Sequence, residues 1–264
     1  MMKSDEMMNL SKIHLEEVKS TNSWLLEALT SALQPLPEGT LVYTKRQTAG
    51  RGQVGNSWEA EPDKNVSFSL LLRPTFLPIP KQFVLSELCC VGVLLGLQKL
   101  GAPALSVKWP NDIYAGDDKL CGILIEHRLM GGVLSESVLG VGINVNQTHW
   151  IGNAPNPTSL KRLGIETTPE DVHDAVSRQI ASLYALLKNE PEGASAIHKL
   201  FIEHLYRRTG FHPYVDVQTG EPFSAEIVGV DPNGPMTLRT EDGMERVYWF
   251  KEVRFVLPCG VVKE

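Results

Sequence analysis

The sequence predicts a mixed α/β (α+β) domain followed by a small all-β barrel, and three observations carry that prediction. Helical patterns alternate with β-rich runs from residue 20 to about residue 208. Near Gly210 the helical patterning stops, and short β-rich segments follow, separated by the turn signals Asp231-Pro232-Asn233-Gly234 and Glu241-Asp242-Gly243. A chain of 264 residues, 42% hydrophobic and 21% charged, is large enough for one large domain plus a small one. The expected division is 1–209 and 210–264.

The elements are justified in order. Residues 20–33 (STNSWLLEALTSAL) start at a Ser/Thr/Asn cluster suited to a helix cap and set Trp24, Leu25, Ala28 and Leu29 on one face. Residues 40–46 (TLVYTKR) are rich in β-formers. In residues 65–72, Val66, Phe68, Leu70 and Leu72 alternate, as a half-buried strand would. Residues 80–100 read as an apolar helix stopped by Gly101. Strands are expected at 104–109, 119–128 and 135–145, the last two joined through Leu129-Met130-Gly131-Gly132. Thr168 caps a helix with Pro169 in its first turn and Glu170 and Asp171 at its positive end. Val172, Val176, Ile180, Leu183 and Leu187 keep helical spacing along it, and a further helix covers about 192–208. From Pro213 onward five short strands are expected.

Composition excludes several functions. The net charge is −6, with 31 acidic and 25 basic residues and no Lys/Arg-rich run, which argues against a nucleic-acid surface. No apolar run approaches the roughly 18 residues needed to span a membrane, and MMKSDEMMNL does not resemble a signal peptide. Cys89, Cys90, Cys121 and Cys259 form no C-x-x-C and have apolar neighbours, so buried reduced thiols in a cytoplasmic protein are expected. The seven histidines show no metal-binding spacing.

Residues 47–58 (QTAGRGQVGNSW) carry the chemistry most visibly. Gly50, Gly52 and Gly55 match G-x-G-x-x-G after a strand, but no helix follows, and Arg73 and Pro74 stand where an acidic residue should meet a ribose. A dinucleotide fold is therefore rejected. What remains is a loop whose backbone can approach an anion and whose Arg51 adds a permanent, forked cation; an ordinary hairpin loop with a solvated arginine has the same pattern. Polar residues also crowd Ser20-Thr21-Asn22, where one residue would suffice for a cap, and KWPNDIY (108–114) with KLCGI (119–123). GVGINVN (140–146) breaks a strand with two glycines, a sign of close approach by a ligand or another backbone.

STN, QTAGRGQVGNSW, KWPNDIY with KLCGILIE, and GVGINVN, in this order over roughly residues 13–260, resemble the bacterial biotin–protein ligases. The resemblance implies a mixed-sheet catalytic domain related to class II aminoacyl-tRNA synthetases and a C-terminal SH3-like barrel. It also implies a two-step reaction: biotin and MgATP give biotinyl-5′-AMP and pyrophosphate, and a lysine of a biotin carboxyl carrier domain then takes the biotinyl group. By the same carry-over, Ser20, Thr21, Asn22, Gln47, Arg51, Gly52, Gln53, Lys119 and Gly122 contact biotin. Gly50, Arg51, Trp58, Asn111, Lys119 and Asn144 contact ATP or the adenylate. Arg51 and Lys119 are the expected catalytic cations, because a carboxylate and a triphosphate repel each other. Asp112 is expected to orient the incoming amine or help with magnesium, which the ATP phosphates would mainly hold. Trp58 is either an adenine platform or a loop anchor.

One departure stands out: the family loop usually reads GRGRxGRxW, and here Gln53 and Asn56 replace its second and third arginines. Gln53 can hydrogen-bond a phosphate but cannot neutralise it. Three alternatives compete with this reading: a dual ligase and repressor, which needs a DNA-binding segment before Ile13; a lipoate or octanoate ligase, against which KWPND and GRG with Gln47 argue; and a non-catalytic biotin-binding module, against which Arg51 and Lys119 argue. Neither DNA nor a membrane is expected as a partner, and a homodimer is left open.

Overall fold

A computed structural model describes residues 8–31, 36–53, 55–152 and 156–257. A seven-stranded sheet forms the larger layer, from β1 (Ser11–Leu15), β2 (Thr40–Thr44), β3 (Val66–Leu72), β4 (Leu105–Lys108), β5 (Asp112–Ala115), β6 (Asp118–Met130) and β7 (Val133–Ile143). Its order is β1-β2-β3-β7-β6-β5-β4. Only β1 and β2 run parallel; the other pairs are antiparallel, so the sheet is mixed.

One face of the sheet is covered by α2 (Val84–Gln98) and α3 (Pro169–Asn189), with α4 (Gly193–Glu203) against α2. The helices approach closely at glycines: a Cβ on Gly92 would stand 2.6 Å from Ile180 Cγ1, and one on Gly96 2.8 Å from Val176 Cα. Thr168 caps α3 as expected, its side chain accepting from the Asp171 amide. Gly101 follows α2 with φ +83°, and the Ala102 amide closes on the Leu97 carbonyl, as in a helix-stopping motif. Among the described residues, the one helix on the opposite face is α1 (Thr21–Ser31), which packs Leu25 against Val42, Leu71 and Val138. This uneven cover leaves part of that face for other use.

β3 differs from its expectation. It is buried throughout, with Val66, Phe68, Leu70 and Leu72 turned to the α2/α3 core and Ser67, Ser69 and Leu71 to the α1 face. Alternation was right, but both faces are covered. Neither β1 nor 112–115 had an expectation attached to it, and 112–115 forms its own strand β5. The last part of 192–208 leaves helix after Glu203 and lies along β4, the Val107 amide donating to the His204 carbonyl and the Tyr206 amide to the Val107 carbonyl. That segment covers the β4 edge.

The segment Ile79–Gln98 has the length and composition to cross a membrane, with a mean hydropathy of 1.4, which corrects the reading that no segment approaches that size. Its α2 part is a core helix: Val84, Leu85, Leu88, Val91, Leu94 and Leu97 are buried against the sheet and the other helices.

The C-terminal part forms the expected five strands, β8 (His212–Asp216), β9 (Pro222–Val230), β10 (Met236–Thr240), β11 (Glu245–Tyr248) and β12 (Val253–Phe255). They make one antiparallel sheet in the order β11-β10-β9-β8-β12, the small SH3-like barrel. Its core residues Tyr214, Met236, Leu238 and Phe255 belong to the same continuous cluster as the α2/α3 core. Tyr206 joins the two, with its ring 6.3 Å from Phe255 and 5.3 Å from Tyr114. Arg207 donates to the Pro213 and Val256 carbonyls. The two parts therefore share a core although the strand pattern changes at residue 210.

Candidate active site

The α1 face of the sheet has two neighbouring transverse rows in which side chains are missing. In one row Ser69 pairs with Gly140, and Gly140 with Leu124; in the next, Ser67 pairs with Gly142, and Gly142 with Gly122. Each row is filled by a side chain from elsewhere. Asn22 lies on the first: a Cβ on Gly140 would stand 2.3 Å from its Oδ1. Trp58 lies on the second: a Cβ on Gly142 would stand 2.4 Å from its Cε2, and one on Gly122 2.9 Å from its Cζ3. These glycines are required because another group occupies the space of their side chains.

A hydrogen-bonded chain runs across this trough. Ser20 caps α1, its Oγ accepting from the Ser23 amide, which releases Thr21 and Asn22 for other contacts. Gln47 Oε1 accepts from the Thr21 amide at 3.0 Å and from Thr21 Oγ1 at 3.3 Å. Ser69 Oγ lies 2.8 Å from Thr21 Oγ1 and 2.5 Å from Asn22 Oδ1. Asn22 Nδ2 donates to the Leu124 carbonyl and to Glu126 Oε2. Glu126 in turn pairs with Arg51, 2.7 Å between Oε1 and Nη2. All of Thr21, Asn22 and Ser69 are buried.

The glycine loop is a tight hairpin. The Trp58 amide donates to Gly50, the Gly52 amide to Asn56 and the Asn56 amide to Gln53. Gly55 has φ +93°, a conformation that favours glycine. A Cβ on Gly50 would stand 2.3 Å from the Trp58 carbonyl oxygen. Arg51 is exposed, as a hairpin-loop arginine would be, and it is also paired with Glu126. No helix follows the loop; the chain next enters β3.

Lys119 lies on β6 with Nζ 2.8 Å from Asp112 Oδ1 on β5 and 6.0 Å from the Trp58 ring. Its pairing partner is thus Asp112, not the neighbouring Asp117 or Asp118. The KWPND run divides its side chains between two places. Asn111 and Asp112 stay with the sheet, Asn111 Nδ2 donating to the Ile123 carbonyl at 2.5 Å. Lys108 and Trp109 turn to the barrel: Trp109 Nε1 donates to the Gly234 carbonyl at 2.9 Å, and Lys108 Nζ sits 4.8 Å from the Phe255 ring. Burial lowers the Lys108 pKa. The bond between Trp109 and Pro110 is cis.

Two buried polar atoms here lack a hydrogen-bond partner among the described residues, Trp58 Nε1 and Asn144 Oδ1. Asn144 is held by its other end, Nδ2 donating to the Thr158 carbonyl. A buried acceptor and a buried donor left open are costly in a finished core and ordinary in a binding site. Beside the trough, a groove of about 580 Å³ runs between the loop and the barrel. Arg51, Gln53, Asn111 and Glu126 line it together with Trp249 and Phe250. Among the described residues, no group of three or more His, Cys, Asp or Glu side chains could hold a metal ion.

The model of the biotin/lipoate A/B protein ligase family matches residues 15–144, which include the whole trough. The bifunctional ligase/repressor BirA of Bacillus subtilis is 31% identical over 221 residues, covering 80% of this chain and 65% of that protein. The trough region of this chain is thus similar to the biotin/lipoate A/B protein ligase family. The biotin–[acetyl-CoA-carboxylase] ligase of Paracoccus denitrificans is 29% identical over 88% of this chain and 95% of its own length. The fold matches the biotin protein ligase from Aquifex aeolicus, solved in complex with biotin and ATP, with a TM-score of 0.74 at 24% identity, covering 93% and 99% of the two chains. The chain spans about two thirds of the Bacillus subtilis relative, 65% of its length.

The family motifs thus fall together. Ser20, Thr21, Asn22, Gln47, Gly50, Arg51, Gly52, Gln53, Trp58, Asn111, Asp112, Lys119, Gly122 and Asn144 all lie around the trough or the adjoining groove. The sequence reading missed Ser69, Glu126 and the specific need for Gly140 and Gly142. Serines at alternate positions of an otherwise apolar strand, and a glutamate inside GILIE, were the available signals.

Proposed function

We propose that this protein attaches biotin to a lysine of a biotin carboxyl carrier domain, in the cytoplasm, through a biotinyl-5′-AMP intermediate. The observation that carries the proposal is the glycine-floored trough, with a polar network at the Asn22 end and Lys119 and Arg51 beside it. The ureido ring of biotin needs donors and acceptors inside an otherwise closed pocket. Thr21, Gln47 and Ser69 supply them, and Asn22 fixes the floor, because both ends of its amide are already bonded within the protein.

In the first step the biotin carboxylate attacks the α-phosphorus of ATP and pyrophosphate leaves. Two anions must be brought together, so fixed cations stabilise the added charge. Lys119 and Arg51 take that role. Trp58 is the platform for the adenine, and Asn144 Oδ1 the acceptor for its exocyclic amine, which would satisfy that buried oxygen. Magnesium is assigned to the triphosphate, where it supplies charge neutralisation. In the second step the neutral amine of the carrier lysine attacks the biotinyl carbonyl, the bond from the carbonyl carbon to the phosphate oxygen breaks, AMP leaves, and the amine protons pass to solvent. Asp112, on the strand beside Lys119, is the carboxylate we assign to orienting the incoming lysine.

The test is pyrophosphate release on mixing the protein with biotin and MgATP, followed by biotin transfer to a purified carrier domain. Biotin-dependent pyrophosphate is expected. Release that instead depends on lipoate or octanoate would move the assignment to the lipoate side of the family, and absence of any release would leave a binding module.

A further inference from the structure

Arg51 meets β6 end-on. Its Nη2 lies 2.7 Å from Glu126 Oε1 and its Nη1 3.2 Å from Glu126 Oε2, while Nη1 also donates to Ser23 Oγ at 3.1 Å. A guanidinium carries five N–H donors in one plane. These bonds take both hydrogens of Nη1 and one of Nη2. The Nε hydrogen and the second Nη2 hydrogen point the same way along the side edge, and they make no hydrogen bond among the described residues. They are a second fork, matched to a carboxylate or phosphate.

Glu126 is itself held by the scaffold. It sits within β6 opposite Val138, and its side chain is 25% exposed. Oε2 also accepts from Asn22 Nδ2 at 3.0 Å, and Asn22 is fixed by Ser69 and by the Leu124 carbonyl. The arginine therefore stands on a hairpin loop while the carboxylate stands on the sheet. Electrostatics alone would place no carboxylate here, since it weakens the attraction of Arg51 for an anion. What the carboxylate supplies is direction: a two-point grip fixes the plane of the guanidinium.

We infer that Glu126 is a positioning residue for the adenylation step, gripping Arg51 end-on so that its side-on fork is presented to the reacting anions. It rests on the ligase reading of the same site. Through Asn22, Glu126 also ties this fork to the end of the trough that holds the ureido ring. Charge and orientation make opposite demands on ATP, and this separates Glu126 from a merely structural residue. Removing the carboxylate charge should not weaken ATP binding, yet it should slow the chemical step.

The experiment measures biotin-dependent pyrophosphate release by the full chain, with Glu126→Gln, Arg51→Lys and the double variant. For Glu126→Gln the maximal rate should fall about ten- to a hundredfold, the range a misplaced catalytic group commonly costs, with no rise in KM for ATP. Lysine cannot accept a two-point grip, so in the Arg51→Lys background the Glu126→Gln change should alter the rate by less than about twofold, a strongly non-additive pair. Glu126→Asp keeps the charge but withdraws the carboxylate by one methylene; a loss of about threefold or more is expected from it. A wild-type rate in Glu126→Gln or Glu126→Asp would overturn the role, as would losses that multiply in the double variant. If the unmodified chain releases no pyrophosphate with biotin, the ligase reading and this role fall together.

Discussion

The two cations at the site are each paired with a carboxylate, but the pairs are built differently. Lys119 and Asp112 stand on adjacent antiparallel strands, β6 and β5, and the sheet itself sets their 2.8 Å separation. Arg51 and Glu126 join a loop to a strand through a two-point hydrogen-bonded pair, with Ser23 and Asn22 as further partners. The strand pair is a fixed element. The loop pair is a latch, and it connects by way of Asn22 to the polar end of the trough. The position of the first cation is set by strand pairing, whereas the orientation of the second depends on the carboxylate that grips it.

The largest effect should come from the fixed side. Lys119→Ala is expected to lower adenylate formation by about 10²–10³, the usual cost of losing one preorganised electrostatic contact. Pyrophosphate release at saturating substrates measures it, with circular dichroism as the control for folding. A rate close to that of the unmodified protein would remove the lysine from the chemistry and break the contrast.

Next comes the seam with the barrel. Trp109 is buried and hydrogen-bonded to Gly234, so Trp109→Ala should cost about 3–5 kcal/mol of stability, the range for emptying a large aromatic site. The change in pattern at residue 210 suggests a fragment 1–209 that stays soluble but loses carrier biotinylation. The continuous core argues otherwise: without the barrel, Trp109, Phe83 and Tyr206 lose cover. The fragment is now expected to aggregate or melt well below the full chain. A soluble, cooperatively folding fragment would show that the barrel is an addition to the catalytic layer, not part of it.

A third prediction concerns the floor. Gly140→Ala would place a methyl group 2.3 Å from Asn22 Oδ1 and push that side chain off Ser69 and Glu126. Overpacking of this kind typically costs about 1–3 kcal/mol. The biotin KM should rise more than the KM for ATP. Equal changes in the two would mean that the Asn22 row serves the whole site and not the ureido end.

Stability against pH offers a check away from the site. Burial raises the Glu87 pKa to about 7, with His198 Nδ1 2.7 Å away as the opposing influence. A carboxyl whose folded pKa lies above its unfolded value favours the fold while protonated, and that contribution is lost as pH rises from near 4.5 through about 7. Glu87→Gln should therefore flatten the fall in Tm between pH 5 and 8, by about a few degrees. Parallel Tm curves for the two proteins would show that Glu87 does not titrate in this window.

The smallest effect is expected at Gln53, on the latched side. An arginine there would add a charge-assisted bond, roughly twice as strong as a neutral one, so Gln53→Arg should slow escape of the adenylate. The measurement is a chase of preformed adenylate with unlabelled biotin. Release as fast as in the unmodified protein, or faster, would leave retention to Arg51 and the backbone.

Much of this was legible before any coordinates. The capped α3, the glycine stop after α2, the five C-terminal strands and the order of the motifs follow from local chemistry: caps, turns and hydrophobic period act over a few residues. The strand over 112–115 was hidden because its residues also carry the KWPND motif, and β1 because its residues suggested no element. Ser69 and Glu126 were hidden for another reason. Their importance lies in partners 47 and 75 positions away along the chain, Asn22 and Arg51. The sequence by itself determined the family motifs, the elements and the likelihood that cations meet an anion in a glycine-lined place. Only the tertiary structure decided that Asn22 and Trp58 fill the rows opened by Gly140, Gly142 and Gly122, that Trp109 is anchored to the barrel, and that Glu126 aims Arg51. Those facts depend on which strands become neighbours, and strand register is set by the packing of the whole sheet.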